Sequence, residues 1–229
     1  MAKLEWDKVG ERYYQTGTDH GVLYVASEGT YPEGVAWNGL TGVDENPSGA
    51  EASAQYADNI KYLELRSNEE FGATVTAYTY PDEFEECDGS AEPTPGMFIG
   101  QQKRKVFGMS YRTRLGNDTD GDDHGYVLHL VYGATASPSA RSFKTVNDSP
   151  EPIEFSWEIT TTPVKIEGYR PVSHIRINST KADAEKLAVL ESVLYGANAD
   201  ATNNAEARTA SLPLPDVVKS ILTTGQIPS

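Results

Sequence analysis

Residues 106–115 (VFGMSYRTRL), 116–125 (GNDTDGDDHG) and 126–132 (YVLHLVY) decide the fold class. Two runs rich in β-branched and aromatic residues flank an acidic turn, which is the sequence form of a β-hairpin. The same reading extends outward. Residues 21–26 (GVLYVA) form a strand upstream. Residues 62–66 (YLELR) set Leu63 and Leu65 against Glu64 and Arg66, and residues 73–80 (ATVTAYTY) set Val75 and Ala77 against Thr74, Thr76 and Tyr78. Downstream, Phe155, Trp157 and Ile159 alternate with Glu154, Ser156 and Glu158, and Ile175 and Ile177 alternate with His174 and Arg176. A period of two places one face on a core and the other toward water or a partner. About eight strands, separated by turns drawn from 20 Gly and 13 Pro, predict a mainly β sandwich or barrel.

Helices are few. Residues 81–86 (PDEFEE) read as a short one, with Pro early and acids near the positive end of the dipole. Residues 182–195 read as the one main flanking helix, with Thr180 as cap, Asp183 three residues on, an apolar stripe of Leu187, Leu190 and Leu194, and Gly196 as the stop. Residues 1–196 are therefore expected to form one sandwich domain. Residues 197–210 (ANADATNNAEARTA) read as a linker, and residues 211–229 as a C-terminal arm. The apolar Leu212, Leu214, Val217 and Val218 require burial, and so short a peptide cannot stay folded alone. Either the arm packs on its own domain or it docks on a neighbouring copy.

Composition narrows the function. Lys and Arg number 19 against 34 Asp and Glu, a formal charge of −15 in 229 residues, which argues against a nucleic-acid coat. No apolar run reaches membrane-spanning length, the charged start MAKLEWDKVGERYY does not read as a signal peptide, and Cys87 is the only cysteine. A cytosolic origin is the expectation. The four histidines, His20, His124, His129 and His174, fall in no zinc-ligand spacing. His129 and His174 lie within strand patterns and read as polar-face or satisfied positions. The turn around Asp118 and Asp120 fails the calcium-loop register, because a Gly at position six would put Gly116 first and Val127 twelfth. Cys87 has acidic neighbours that raise a thiol pKa. No cofactor and no catalytic set is expected. Residues 101–105 (QQKRK), with Lys103 and Arg104, read as an ionic contact within or between chains. Residues 41–58, with Asp44, Glu45, Glu51 and Tyr56, read as a long loop of little apolar content.

A run of collinear segments then resembles one family. These are 34–41 (GVAWNGLT), 47–51 (PSGAE), 56–62 (YADNIKY), 70–73 (EFGA), 77–84 (AYTYPDEF), 87–90 (CDGS), 124–134 (HGYVLHLVYGA), 138–139 (PS), 147–150 (NDSP) and 155–158 (FSWE). Together they resemble the major tail proteins of long-tailed, non-contractile bacteriophages and prophages of Gram-positive hosts. The likeness spans residues 9–196, fades over 197–210 and returns in the terminal LPLPDVV. The resemblance implies a β-sandwich with a flanking helix, six copies in a ring, and rings stacked into a tail tube. It further implies a place in the virion after assembly in the host cytoplasm, with tape-measure, terminator and initiator proteins as partners. Viral DNA would pass through the lumen unbound, and the family has no catalytic residues. On this reading Asp44, Glu45, Glu51, Tyr56, Asp118, Asp120, Lys103, Arg104, Leu212, Leu214, Val217 and Val218 are candidate contacts between copies. Glu64, Arg66, Thr74 and Thr76 are candidate lumen or sheet-exterior positions. The acidic excess suits a channel wall that repels phosphate. The alternative is a carbohydrate- or protein-binding sandwich module, with Tyr and Trp as stacking platforms.

Overall fold

The computed structural model describes residues 3–145, 148, 151–199 and 207–228. In chain order the strands are β1 (Tyr14–Val25), β2 (Gly34–Ala36), β3 (Leu40–Glu45), β4 (Ser48–Gly49), β5 (Ala52–Ala57), β6 (Ile60–Arg66), β7 (Glu69–Glu70) and β8 (Gly72–Ala77). A 3-10 turn (Asp82–Phe84) and α1 (Glu85–Asp88) follow, then β9 (Ala91–Thr94), β10 (Met97–Ile99), β11 (Phe107–Asn117), β12 (Gly121–Ala136), β13 (Phe155–Thr161) and β14 (His174–Asn178). The chain closes with α2 (Ala184–Leu194) and α3 (Pro215–Thr224). The fold is mainly β, built on one large antiparallel sheet of order β2-β1-β11-β12-β13-β8-β3, with β14 also paired to β12.

The central hairpin holds this sheet together. β12 pairs with β11 along most of its length, with β14 over Val127–Val131, and with β13 from Ala134 on. The change of partner falls at Gly133, whose φ is +61°. A Cβ there would lie 2.2 Å from the Thr162 carbonyl oxygen, so only glycine fits. The run YVLHLVY reads as continuously apolar because both its faces are covered. Leu128, Leu130 and Tyr132 face the helices, with Val22 and Tyr24 of β1 and Leu187, Leu190 and Leu194 of α2. Val131 faces the inside of the curled sheet with Leu23, Val75, Met109, Tyr111, Trp157 and Ile159. In that second core Trp37 and Trp157 meet edge to face at 5.7 Å, and both contact Phe84. Such pairs add about 0.5–1.5 kcal/mol each beyond their burial. The Trp37 indole N–H donates to the Thr79 carbonyl at 3.0 Å, so its one polar atom is satisfied.

Three expectations change. First, residues 41–58 are not a structureless loop. They carry most of β3, all of β4 and all of β5, and their polar composition reflects strands left in water. Second, β6 shows the expected alternation but lies on no core. β5 and β6 pair only with each other, and every residue of β6 is exposed. Third, the cap of α2 is Asp183, whose carboxylate accepts from the Glu185 and Lys186 amides at 3.1 and 3.2 Å. Thr180 instead bonds back to Asn178 in an Asx turn that ends β14.

The arm packs on its own domain. Leu212 and Val218 are buried in the helix-side core with Ile221, while Leu214 and Val217 line its edge. Backbone bonds fasten the approach: Leu212 N–H to Tyr31 O at 3.1 Å, Ser211 N–H to Val193 O at 2.8 Å, and Gly34 N–H to Ala210 O at 2.8 Å. The Tyr132 hydroxyl donates to Pro213 O at 3.0 Å. Leu212 lies so close to Gly108 that a Cβ there would meet its Cδ2 at 2.4 Å. The ends of the 197–210 segment pair through Ala197 and Arg208, whereas residues 200–206 lie outside the described residues.

Candidate functional site

Two features stand out from the closed cores. The first is the β5–β6 hairpin, which projects between the short β4 and β7 pair. Its apolar residues are in water, with Tyr56 72 %, Tyr62 68 % and Leu65 57 % exposed, and Ile60 and Leu63 exposed beside them. By the strand period Ile60 and Tyr62 lie on one face and Leu63 and Leu65 on the other. A two-stranded hairpin is marginal alone in water, and this one carries exposed apolar residues on both faces. Of the candidate exterior residues, Glu64 and Arg66 lie here and pair at 3.1 Å. Lys61 also pairs with Glu64 and, more than Arg66, holds its carboxyl below the usual range. Glu51 is exposed at the hairpin's base.

Beside the hairpin lies an uncovered sheet face. Asp44, Thr74 and Glu158 sit in register across β3, β8 and β13, and Gly42, Thr76 and Ser156 form the next row. The opposite face of β8, with Ala73, Val75 and Ala77, is buried. Thr74 and Thr76 are thus on the sheet exterior. The Thr41 hydroxyl donates to Glu154 at 2.7 Å and lies 2.9 Å from the Thr76 hydroxyl. The helices cover only the other half of the sheet, so Asp44, Glu154 and Glu158 form an exposed acidic surface.

Other candidate contacts are engaged within the chain. Arg104 pairs with Asp88 at 3.1 Å and donates to Ala136 O at 3.1 Å, so it is an internal tie, while Lys103 is exposed. Asp118 accepts from the Gly10 amide at 2.9 Å and holds the N-terminal segment, and Asp120 meets His124 at 3.0 Å. Leu212 and Val218 are corrected from contacts between copies to core residues. Trp37 and Trp157 are buried and offer no stacking platform. Burial, then Glu86, pushes the Cys87 thiol up to about 12.

The second feature escaped the sequence reading. Glu45 at the end of β3, His129 in β12 and His174 in β14 converge. His129 Nδ1 is 3.1 Å from His174 Nε2 and 3.2 Å from Glu45 Oε1, and His174 Nε2 is 3.8 Å from the same oxygen. Tyr111 donates its hydroxyl to Glu45 Oε1 at 3.0 Å, and the Thr113 hydroxyl is 3.1 Å from His129 Nε2. Burial lowers the pKa of both imidazoles. The histidines are satisfied as expected, but by each other and by Glu45. Glu45, expected as a contact between copies, faces this cluster. Residues so far apart in sequence give no local spacing to read.

No protein-family model matches the chain, and none of the curated proteins gives a significant match. No helix among the described residues is long and apolar enough to cross a membrane.

Proposed function

We propose that this chain is a structural subunit of a phage tail tube, joined to its neighbours through the β5–β6 hairpin. The observation that carries the reading is that hairpin. The chain closes two cores, draws its arm into one of them, and leaves Tyr56, Ile60, Tyr62 and Leu65 unpartnered on a projecting ribbon. A contact between a ribbon on one copy and a different surface on the next is heterologous and propagates into rings or filaments. The uncovered acidic face of β3, β8 and β13 supports the second half of the reading. Facing a lumen, Asp44, Glu154 and Glu158 repel phosphate, so DNA passes without adhering. The collinear resemblance to major tail proteins supplies the hexameric ring, the virion location and the tape-measure, terminator and initiator partners.

Negative-stain electron microscopy of the concentrated protein tests this. Rings or hollow tubes are expected. The Tyr62→Glu/Leu65→Glu variant is expected to lose them while its thermal transition stays within about 4 °C, because each exposed substitution changes stability by about 0.5 kcal/mol or less. A monodisperse wild-type monomer under all assembly conditions, with tape-measure and initiator proteins supplied, refutes the assignment.

A further inference from the structure

We propose that Glu45, His129 and His174 form a zinc site at the root of the projecting hairpin. The three donor atoms, His129 Nδ1, His174 Nε2 and Glu45 Oε1, are separated by 3.1, 3.2 and 3.8 Å. Ligands on a tetrahedral zinc, with bonds of about 2.0–2.1 Å, lie about 3.3 Å from one another. A triangle with these sides has its centre about 2.0 Å from each corner, which is the zinc–nitrogen and zinc–oxygen bond length. Two imidazoles and one carboxylate are a catalytic-type donor set, with the fourth position left for water. The Glu45 side chain is one-third exposed, whereas that of His129 is 5 % exposed, so the cluster lies at the edge of the core.

The surroundings are those of a supported site. Metal-bound imidazoles hand their other N–H to an acceptor, and metal-bound carboxylates are themselves hydrogen-bonded. The Thr113 hydroxyl is placed to accept from His129 Nε2, which leaves Nδ1 free to ligate. The Tyr111 hydroxyl holds the Glu45 oxygen in place. The stacked Tyr111 and His129 rings, 4.5 Å apart, fix the imidazole plane. The charge of Glu45 offsets that of the nearby Arg176 at both imidazoles.

Position gives the site its consequence. Glu45 is the last residue of β3 before the chain leaves the sheet for β4 and the hairpin. Phe71, on the returning leg before β8, packs against His174 with its ring tilted by 37° and the centroids 4.3 Å apart. A zinc ion here ties the departing leg to β12 and β14 and stiffens the hairpin's base. Binding by the monomer does not depend on the assembly reading.

The test uses the untagged full chain, stripped with EDTA, then dialysed against limiting Zn²⁺ and analysed for metal. One zinc per chain is expected, together with the intense visible absorption of four-coordinate Co²⁺ on cobalt substitution. Glu45→Gln and His174→Asn should each weaken zinc binding by more than about 100-fold, beyond the roughly 10–100-fold that loss of a supporting partner typically costs. His20→Ala/His124→Ala should bind as wild type. If the histidine variant misfolds, as judged by circular dichroism, Glu45→Gln at the partly exposed position decides alone. No stoichiometric zinc in the wild type, unchanged affinity in Glu45→Gln, or a weakly absorbing six-coordinate Co²⁺ adduct each overturns the proposal.

Discussion

Replacing Ile221 by alanine asks whether the C-terminal helix belongs to its own subunit. Ile221 is fully buried, packed in one cluster with Leu187, Leu190 and Leu194 of α2 and with Leu212 and Val218 of its own segment. The substitution removes three carbons, worth about 2.4 kcal/mol at about 0.8 kcal/mol per buried group. Incomplete collapse of the cavity raises this to about 3–4 kcal/mol, within the range for buried large-to-small changes. In a domain of this size each 1 kcal/mol shifts Tm by about 2–4 °C, so 3 kcal/mol lowers it by about 6–12 °C. Urea unfolding followed by circular dichroism, at two protein concentrations tenfold apart, reads the effect. The wild-type midpoint should not depend on concentration, and Ile221→Ala should lower it equally at both. Gln226→Ala, on an exposed residue past the helix, should leave it in place. The reasoning fails if Ile221→Ala leaves the midpoint unmoved. It fails equally if the wild-type midpoint rises with concentration and the variant abolishes only that rise. That outcome would mean that α3 is exchanged onto a neighbouring copy.

Two further expectations concern the sheet and its buried hydroxyls. Gly133→Ala should cost about 2–5 kcal/mol, combining a non-glycine residue at φ +61° with a clash against the Thr162 carbonyl, and chemical denaturation will show no loss if the bend is dispensable. Burial raises the pKa values of Tyr24, Tyr132, Tyr195 and Cys87, so the native state keeps their protons at pH values where the unfolded chain has released them. The stability they confer is full below about pH 9 and falls as pH rises, by about 1.4 kcal/mol per unit for each group once its unfolded pKa is passed. Steep alkaline unfolding should therefore coincide with tyrosinate absorbance, and smooth titration of all tyrosines near pH 10 in folded protein contradicts it.

The sequence discloses what an element is more readily than what covers it. The alternation in 73–80 and 153–160 gave strands whose inward residues, Val75, Trp157 and Ile159, are the core residues observed. The same alternation in 62–66 led to a core face that does not exist, because Leu63 and Leu65 are apolar yet exposed. Periodicity measures amphipathicity and is silent about the partner. The arm shows the converse. Its apolar residues demanded burial, but nothing local states that the receiving surface is Tyr31, Val193 and Tyr132. The helix 182–195 was legible to within two residues, and its cap was missed because Asn178 claims Thr180 first. His129 and His174 lie on the paired strands β12 and β14, and the curl of the sheet brings Glu45 of β3 to them, so no local spacing rule could find the three.

The placement of apolar residues bears on the two alternatives that the sequence left open for the arm. α3 is held by three backbone bonds at its approach, by the Tyr132 hydroxyl, and by burial of Leu212, Val218 and Ile221. Releasing it to reach a neighbour would expose that surface at about 1.5–3 kcal/mol per side chain. The β5–β6 hairpin faces no such cost. Among the described residues its strands pair only with each other, and its Tyr56, Tyr62 and Leu65 are already in water, so docking on a second chain would break no internal packing. A ribbon with free apolar faces is an assembly hazard unless its partner is specific, since exposed flat strands invite indiscriminate pairing. Lys61, Glu64 and Arg66 supply part of that restraint by charging β6 between its apolar residues. The same segment is thus charged enough to stay hydrated and apolar enough to dock, a combination that fits the assembly role proposed above.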